Sequence, residues 1–258
     1  MTEEGKLPFT GHLDELRKRL INIFIAVGIG FVASYAFKEK LFDILVHPLV
    51  TVMKPGDTLI FTGLPEAFFT YLKVAFLSGI MLAAPVIIYQ FWMFVAPGLY
   101  EKERRILIPI VFLSSVFFIG GSLFGYFIVF PWGFKFFLGF ATETIRPLPS
   151  MKEYLSFSAK LLLAFGLVFE LPLILTFLAR LGLVSVDFLK KHRKYALLLF
   201  FAGAAILTPP DVVTQIMMAL PLMILYEISI IGARIFGKKK PEEVKEKDAE
   251  DTKTEGEG

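Results

Sequence analysis

Apolar residues fall into six blocks along the chain, at about 20–37, 69–95, 106–131, 155–179, 195–208 and 212–231. The first four are long enough to cross roughly 30 Å of hydrocarbon as α-helix. The fifth offers 13 residues, Tyr195 to Leu207, or roughly 20 Å at 1.5 Å per residue. "TPPD" at 208–211 then turns the chain directly into the sixth. The pattern predicts an all-α polytopic membrane protein of six transmembrane helices, with the fifth and sixth short. Two short spans joined by a Pro-Pro turn imply a locally thinned bilayer.

Ahead of the first block, "FTGHLDELRKRL" repeats its apolar positions with helical spacing: Phe9, Leu13, Leu16 and Leu20 form one stripe. His12, Glu15 and Arg19 share another face, with Glu15 and Arg19 placed as an i,i+4 ion pair. This predicts an interfacial helix leading into the first span. The expected organisation is an amphipathic segment at 1–19, a membrane domain at 20–236 and a charged tail at 237–258. The tail, "GKKKPEEVKEKDAEDTKTEGEG" from Gly237, lacks aromatic residues and is expected to be disordered. The connecting segments 38–68 and 132–154 carry "HPLV", "KPGD" and "RPLPS", whose Pro and Gly residues read as ordered turns.

Composition agrees with the membrane reading. Of 258 residues, 55% are hydrophobic and only 20% charged, below the quarter usual for soluble domains. Cysteine is absent, which excludes disulfides, thiolate nucleophiles and Cys-ligated metals. Lys and Arg are unevenly shared: nineteen lie in 1–19, 96–105, 180–194 and 232–258, against six in the alternate segments. By the positive-inside rule both termini are cytoplasmic. The mixed charges of residues 1–19 lead into a long apolar run without a small-residue cleavage site, so no cleavable signal peptide is expected.

Enzymatic chemistry finds little support. There is no G-x-x-x-x-G-K-[ST] phosphate loop and no H-E-x-x-H. His12, His47 and His192 all lie outside the spans, so no span offers a base for Ser122 in "GGSLFG". Small residues that let helices approach explain that stretch better. No cofactor, metal or nucleic-acid partner is expected. A small-molecule transporter would line a pathway with several intramembrane polar groups, whereas Glu170 alone sits deep.

Five charged residues in a row, Glu101 to Arg105, separate the second and third blocks. Glu103 is either neutralised by Arg104 or Arg105, or acts with Glu15 to bind a cationic ligand along the headgroups. Guanidinium suits paired carboxylates, because it forms forked charge-assisted bonds that ammonium cannot match. Glu170 in "FGLVFELPLIL" is near a membrane midplane, where a carboxyl costs several kcal/mol on most estimates unless neutral, hydrated or paired. It is either protonated and hydrogen-bonded in the bundle or a docking point for another helix. Asp211 fits the N-cap of the sixth helix, and Thr208 and Gln215 are candidates for contacts with a partner helix. Glu227 and Arg234 read as snorkelling or paired groups, and Trp92, Tyr100 and Tyr195 as an aromatic belt.

The ordered series "HLDELRKRL", "PVIIYQFWMFVAPGLYEKERR", "GYFIVFPWGFKFF", "AFGLVFELPLIL" and "TPPDVVTQIMMALPLMILYEISI" closely resembles TatC, the multi-spanning subunit of twin-arginine protein translocases, from about Phe9 to Phe236. The resemblance implies a cupped six-helix bundle that recognises Arg-Arg signal peptides of folded cargo. It implies that Glu15 and Glu103 bind the two arginines and that Arg17, Arg19, Phe94, Leu99 and Arg105 shape the surface. It implies characteristic roles for Pro48, Glu170, Asp211 and Gln215, with Thr208 and Gln215 touching single-span partners. TatA-type and TatB-type subunits, a homo-oligomeric state within the complex, and export driven by the proton-motive force from a cytoplasmic membrane complete the expectation.

Overall fold

The computed structural model describes residues 9–54, 56–95, 107–142, 144, 146–207 and 212–237. All regular elements among them are helical, apart from one isolated bridge between Ile60 and Ser150. They are α1 Phe9–Tyr35, α2 Lys38–Val50, α3 Glu66–Val95, α4 Leu107–Phe124, a π-helical turn Gly125–Val129, α5 Phe130–Leu138, α6 Met151–Phe169, α7 Leu171–Leu181, α8 Val186–Lys191, α9 Arg193–Leu207 and α10 Val212–Phe236. Contacts divide the chain into two compact units, one up to Val168 and one from Phe169 onward.

Four stretches are each long and apolar enough to cross a bilayer: Glu66–Val95, Ile108–Leu138, Met151–Leu181 and Gln215–Phe236. α1 and α2 pass the same test as a pair bent by 88°. α9, at 15 residues, is short, as expected from its sequence. The elements also differ from the sequence reading in four ways. The sixth helix, read as short, has 25 residues, and its Gln215–Phe236 stretch is long enough to cross a bilayer. The amphipathic stripe and first span form one unbroken helix. The helix over the third block runs on to Leu138 through the π-turn, which precedes Pro131 at the start of α5. Residues 38–50, read as part of a turn-rich connection, are a helix.

The burial pattern is inside-out relative to a protein in water. Phe24, Val32 and Phe112 are 70% exposed or more, while Ser34, Ser114 and Ser122 are buried. An apolar exterior carries no cost in lipid, and small residues at helix contacts let backbones come together. Ser122 shows the device. Its hydroxyl lies 3.0 Å from the Phe118 carbonyl and 3.2 Å from that of Leu162, and a Cβ on Gly166 would fall 2.9 Å from its oxygen.

A close backbone-to-backbone approach joins α1 to α3. A Cβ on Gly30 would sit 2.6 Å from the Gly79 carbonyl oxygen, and one on Gly79 would sit 2.6 Å from the Phe31 nitrogen. The obstructing atoms are backbone and cannot turn aside. The two helices run antiparallel, so the contact sets the register of everything toward the α1 start and the α3 end.

α2 is a helix despite Pro48, and a distant side chain explains how. Pro48 has no N–H for the Ile44 carbonyl. The Tyr126 hydroxyl donates to that carbonyl, and the Tyr154 hydroxyl donates to the next one, Leu45. Pro48 itself is buried.

In the second unit, α7 ends at Gly182, whose φ of 78° suits a residue without a side chain. α8 is capped by Ser185, which accepts from the Phe188 N–H at 3.1 Å. Ala179, Leu189, Tyr226, Ile230 and Ala233 form its core, and the Tyr226 hydroxyl donates to the Leu189 carbonyl at 2.9 Å.

Gly79→Ala is expected to destabilise the protein by about 1–3 kcal/mol through overpacking. Gly120→Ala, where a Cβ meets nothing within 4 Å, serves as the neutral control in thermal unfolding in detergent. Tyr126→Phe removes the donor to the Ile44 carbonyl and should cost about 0.5–1.5 kcal/mol. In a Pro48→Ala background the restored N–H should reduce that loss. A double-mutant cycle with no coupling would rule out the substitute-donor account.

Candidate functional site

Register along α1 and α3 assembles a polar patch where α1 begins and α3 ends. Arg19 lies eleven residues before Gly30, and Gln90 eleven after Gly79. Eleven residues are close to three helical turns at 3.6 per turn, so the glycine contact and the Arg19–Gln90 contact recur on the same two faces. Arg19 Nη1 donates to Gln90 Oε1 at 3.0 Å, and Arg19 Nη2 donates to Glu15 Oε1 at 3.0 Å. One turn further out, the His12 ring stacks on Phe94 with centroids 4.4 Å apart and planes 24° apart. Glu15 and Arg19 keep only about a fifth of their side-chain surface, and Gln90 is buried.

The stripe of Leu13, Leu16 and Leu20 is exposed, while His12, Glu15 and Arg19 face α3. The N-terminal helix thus turns Glu15 and Arg19 toward α3 and leaves Leu13, Leu16 and Leu20 exposed together with Asp14, Arg17 and Lys18. Glu15 Oε2 carries no hydrogen bond among the described residues. The patch therefore presents one carboxylate oxygen without a hydrogen bond among the described residues, on the helix face that also carries the His12–Phe94 stack, with the other oxygen held by a guanidinium.

The remaining site residues are distributed as follows. Arg17 is exposed on α1, and Phe94 is half-buried on α3. Leu99, Glu103 and Arg105 lie outside the described residues, as do Thr208 and Asp211. Glu170 is 7% exposed at the break between α6 and α7, where Pro172 prevents an unbroken ladder. Gln215 is half-buried in the first turn of α10. Glu227 forms an ion pair with Arg193 at 2.8 Å, both half-exposed. Sequence reasoning did not single out Gln90. Its signal is a lone amide in an apolar run, at the same distance from Gly79 as Arg19 is from Gly30.

A second carboxylate was also missed. Glu66, the first residue of α3, accepts five hydrogen bonds. Thr62 N and Oγ1 and Gly63 N donate to Oε2 at 2.7, 3.0 and 3.2 Å, and Ser150 Oγ and Lys152 N donate to Oε1 at 2.8 and 3.1 Å. The Thr62 N–H foremost, then the Ser150 hydroxyl, hold its pKa down to about 2 from an ordinary 4.5. Glu66 lies ahead of the apolar block that begins at 69, in the first turn of a 30-residue helix. The carboxylate ties the loop before α3 to the loop before α6, beside the Ile60–Ser150 bridge.

An apolar groove of about 660 Å³ lies between α1, α2, α3 and α4, lined by Phe37, Leu41, Leu45, Leu77, Leu123 and others, with Ser34, Ser78 and Ser122 among them.

These features define a multi-pass helical membrane protein whose polar chemistry gathers at one end of its first two long helices, with no cluster of His, Asp or Glu able to hold a metal among the described residues. The family model described as Sec-independent protein translocase protein (TatC) matches residues 11–221. Among relatives named Sec-independent protein translocase protein TatC, that of Desulforapulum autotrophicum is 69% identical over 244 residues, covering 95% of this chain and 90% of the relative. That of Escherichia coli K12 is 39% identical over 236 residues, covering 92% of each. A crystal structure of the twin-arginine translocase receptor TatC superposes with a TM-score of 0.79 at 41% identity, covering 87% of this chain and 99% of that one. The chain belongs to the TatC family of protein-translocation components.

The Glu66 latch predicts a pH response. Its folded pKa is depressed, so its contribution is complete above about 4.5 and is lost as pH falls toward about 2. The difference in thermal midpoint between the wild type and Glu66→Gln should shrink across that window. Hydrogen exchange at the Thr62 and Lys152 amides should accelerate in parallel in the wild type.

Proposed function

We propose that this protein is the receptor and core subunit of a twin-arginine translocase, binding Arg-Arg signal peptides of folded cargo at its cytoplasmic face. The observation that carries the reading is Glu15 Oε2, left without a hydrogen bond among the described residues, on a patch that two helices hold in register and that also carries the His12–Phe94 stack. Glu103 supplies the second carboxylate, so that adjoining guanidinium groups each meet an acid. Arg17, Leu99 and Arg105 shape the surrounding surface, and the nearby bases weaken attraction for ligands that are merely cationic. Both termini face the cytoplasm in this reading, and the protein resides in a bacterial inner membrane.

The apolar groove receives the hydrophobic segment that follows the arginines in a signal peptide. Glu170, Thr208 and Gln215 dock the single helices of TatA-type and TatB-type partners, while Pro48 and Asp211 order the outer face. Copies of the chain associate within the complex. The proton-motive force drives transport, and this subunit carries out no catalysis of its own.

A photo-crosslinker beside Glu103 should capture a twin-arginine signal peptide. A Lys-Lys version keeps the charge and loses the fork, and should label about tenfold less, which corresponds to about 1.4 kcal/mol. Equal labelling of the two peptides would sink the guanidinium-reading site.

A further inference from the structure

The buried amide of Gln90 accepts from the same guanidinium that is paired with Glu15. We infer that Gln90 is a positioning residue for arginine specificity: by drawing one arm of the Arg19 guanidinium to α3, it keeps that guanidinium from closing on both oxygens of Glu15. The inference rests on the receptor reading above and explains how an acid that already has a partner remains able to bind a second guanidinium.

The geometry supplies the argument. Arg19 uses Nη1 for Gln90 and Nη2 for Glu15, each at 3.0 Å, so its fork is split between two acceptors on two helices. An arginine with no other acceptor favours the forked, two-oxygen arrangement with a carboxylate, and an i,i+4 neighbour on the same helix is well placed to adopt it. That arrangement would occupy Oε2, the oxygen an incoming guanidinium needs. Gln90 prevents it with a neutral oxygen, which orients Arg19 without removing its charge from Glu15. The remaining pairing still reduces the net negative potential at the patch. A ligand that offers only charge gains little there, and one that offers directed N–H groups gains more.

Substitutions at position 90 should therefore act in opposite directions. Gln90→Leu removes the acceptor, lets Arg19 take both Glu15 oxygens, and should weaken binding of a twin-arginine peptide about tenfold. Gln90→Met is the substitute if the leucine variant does not fold. Gln90→Glu gives Arg19 a stronger partner and releases Glu15. It should strengthen binding of Arg-Arg and Lys-Lys peptides alike and shrink the ratio between them several-fold.

The measurement is titration of fluorescent Arg-Arg and Lys-Lys peptides against the full-length protein in lipid nanodiscs, with thermal midpoints recorded for each variant. Opposite shifts support the inference. Weakening by both variants, as a merely structural role would give, overturns it, and so does no change in either. A wild-type protein that binds both peptides equally would overturn the receptor reading itself, and the inference with it.

Discussion

Backbone contact between Gly30 and Gly79 is the constraint on which the first unit depends. Where no Cβ fits on either helix, α1 and α3 can approach at one register only, because sliding by a residue would bring side chains into the gap. That register carries along rigid helix for three turns to Arg19 and Gln90, then to His12 and Phe94. Sites built on helices are held more closely than sites on loops. Here the fixing point is a pair of residues with no chemistry of their own, well away from the groups they position.

The second governing condition is the absence of water around the spans. Each interruption of a helix has to be made good from within the protein. At Pro48 the substitute donor comes from Tyr126, and buried Ser122 and Ser229 turn their hydroxyls to carbonyls one turn back. Outside the spans the same accounting is done by Glu66, whose carboxylate gathers amides and hydroxyls from two loops that would otherwise be held by a single bridge.

Local pattern made the helices and the short fifth span legible in the sequence, because each depends on composition over one stretch; the sixth, read as short, runs on past Ile231 to Phe236. The shared face of His12, Glu15 and Arg19 was legible for the same reason. What was not legible is non-local. Residues 38–50 read as turns because Pro48 argues against a helix, and the group that rescues the helix stands 82 residues away. Glu66 looks like an ordinary acid at a helix start until Ser150, 84 residues on, is brought to it. Gln90 gains its meaning only once the two glycines have fixed the antiparallel register.

The right angle between α1 and α2 has a mechanical consequence. A rod that crosses a slab can piston along its own axis, but one ending in a crossbar cannot. Tyr126 and Tyr154 rivet that crossbar to α5's neighbouring turn and to α6, so vertical travel of α1 is arrested at its far end. The distance from that crossbar to Glu15 is then set by the length of one helix, much as a ruler clamped at one edge marks a fixed height at the other.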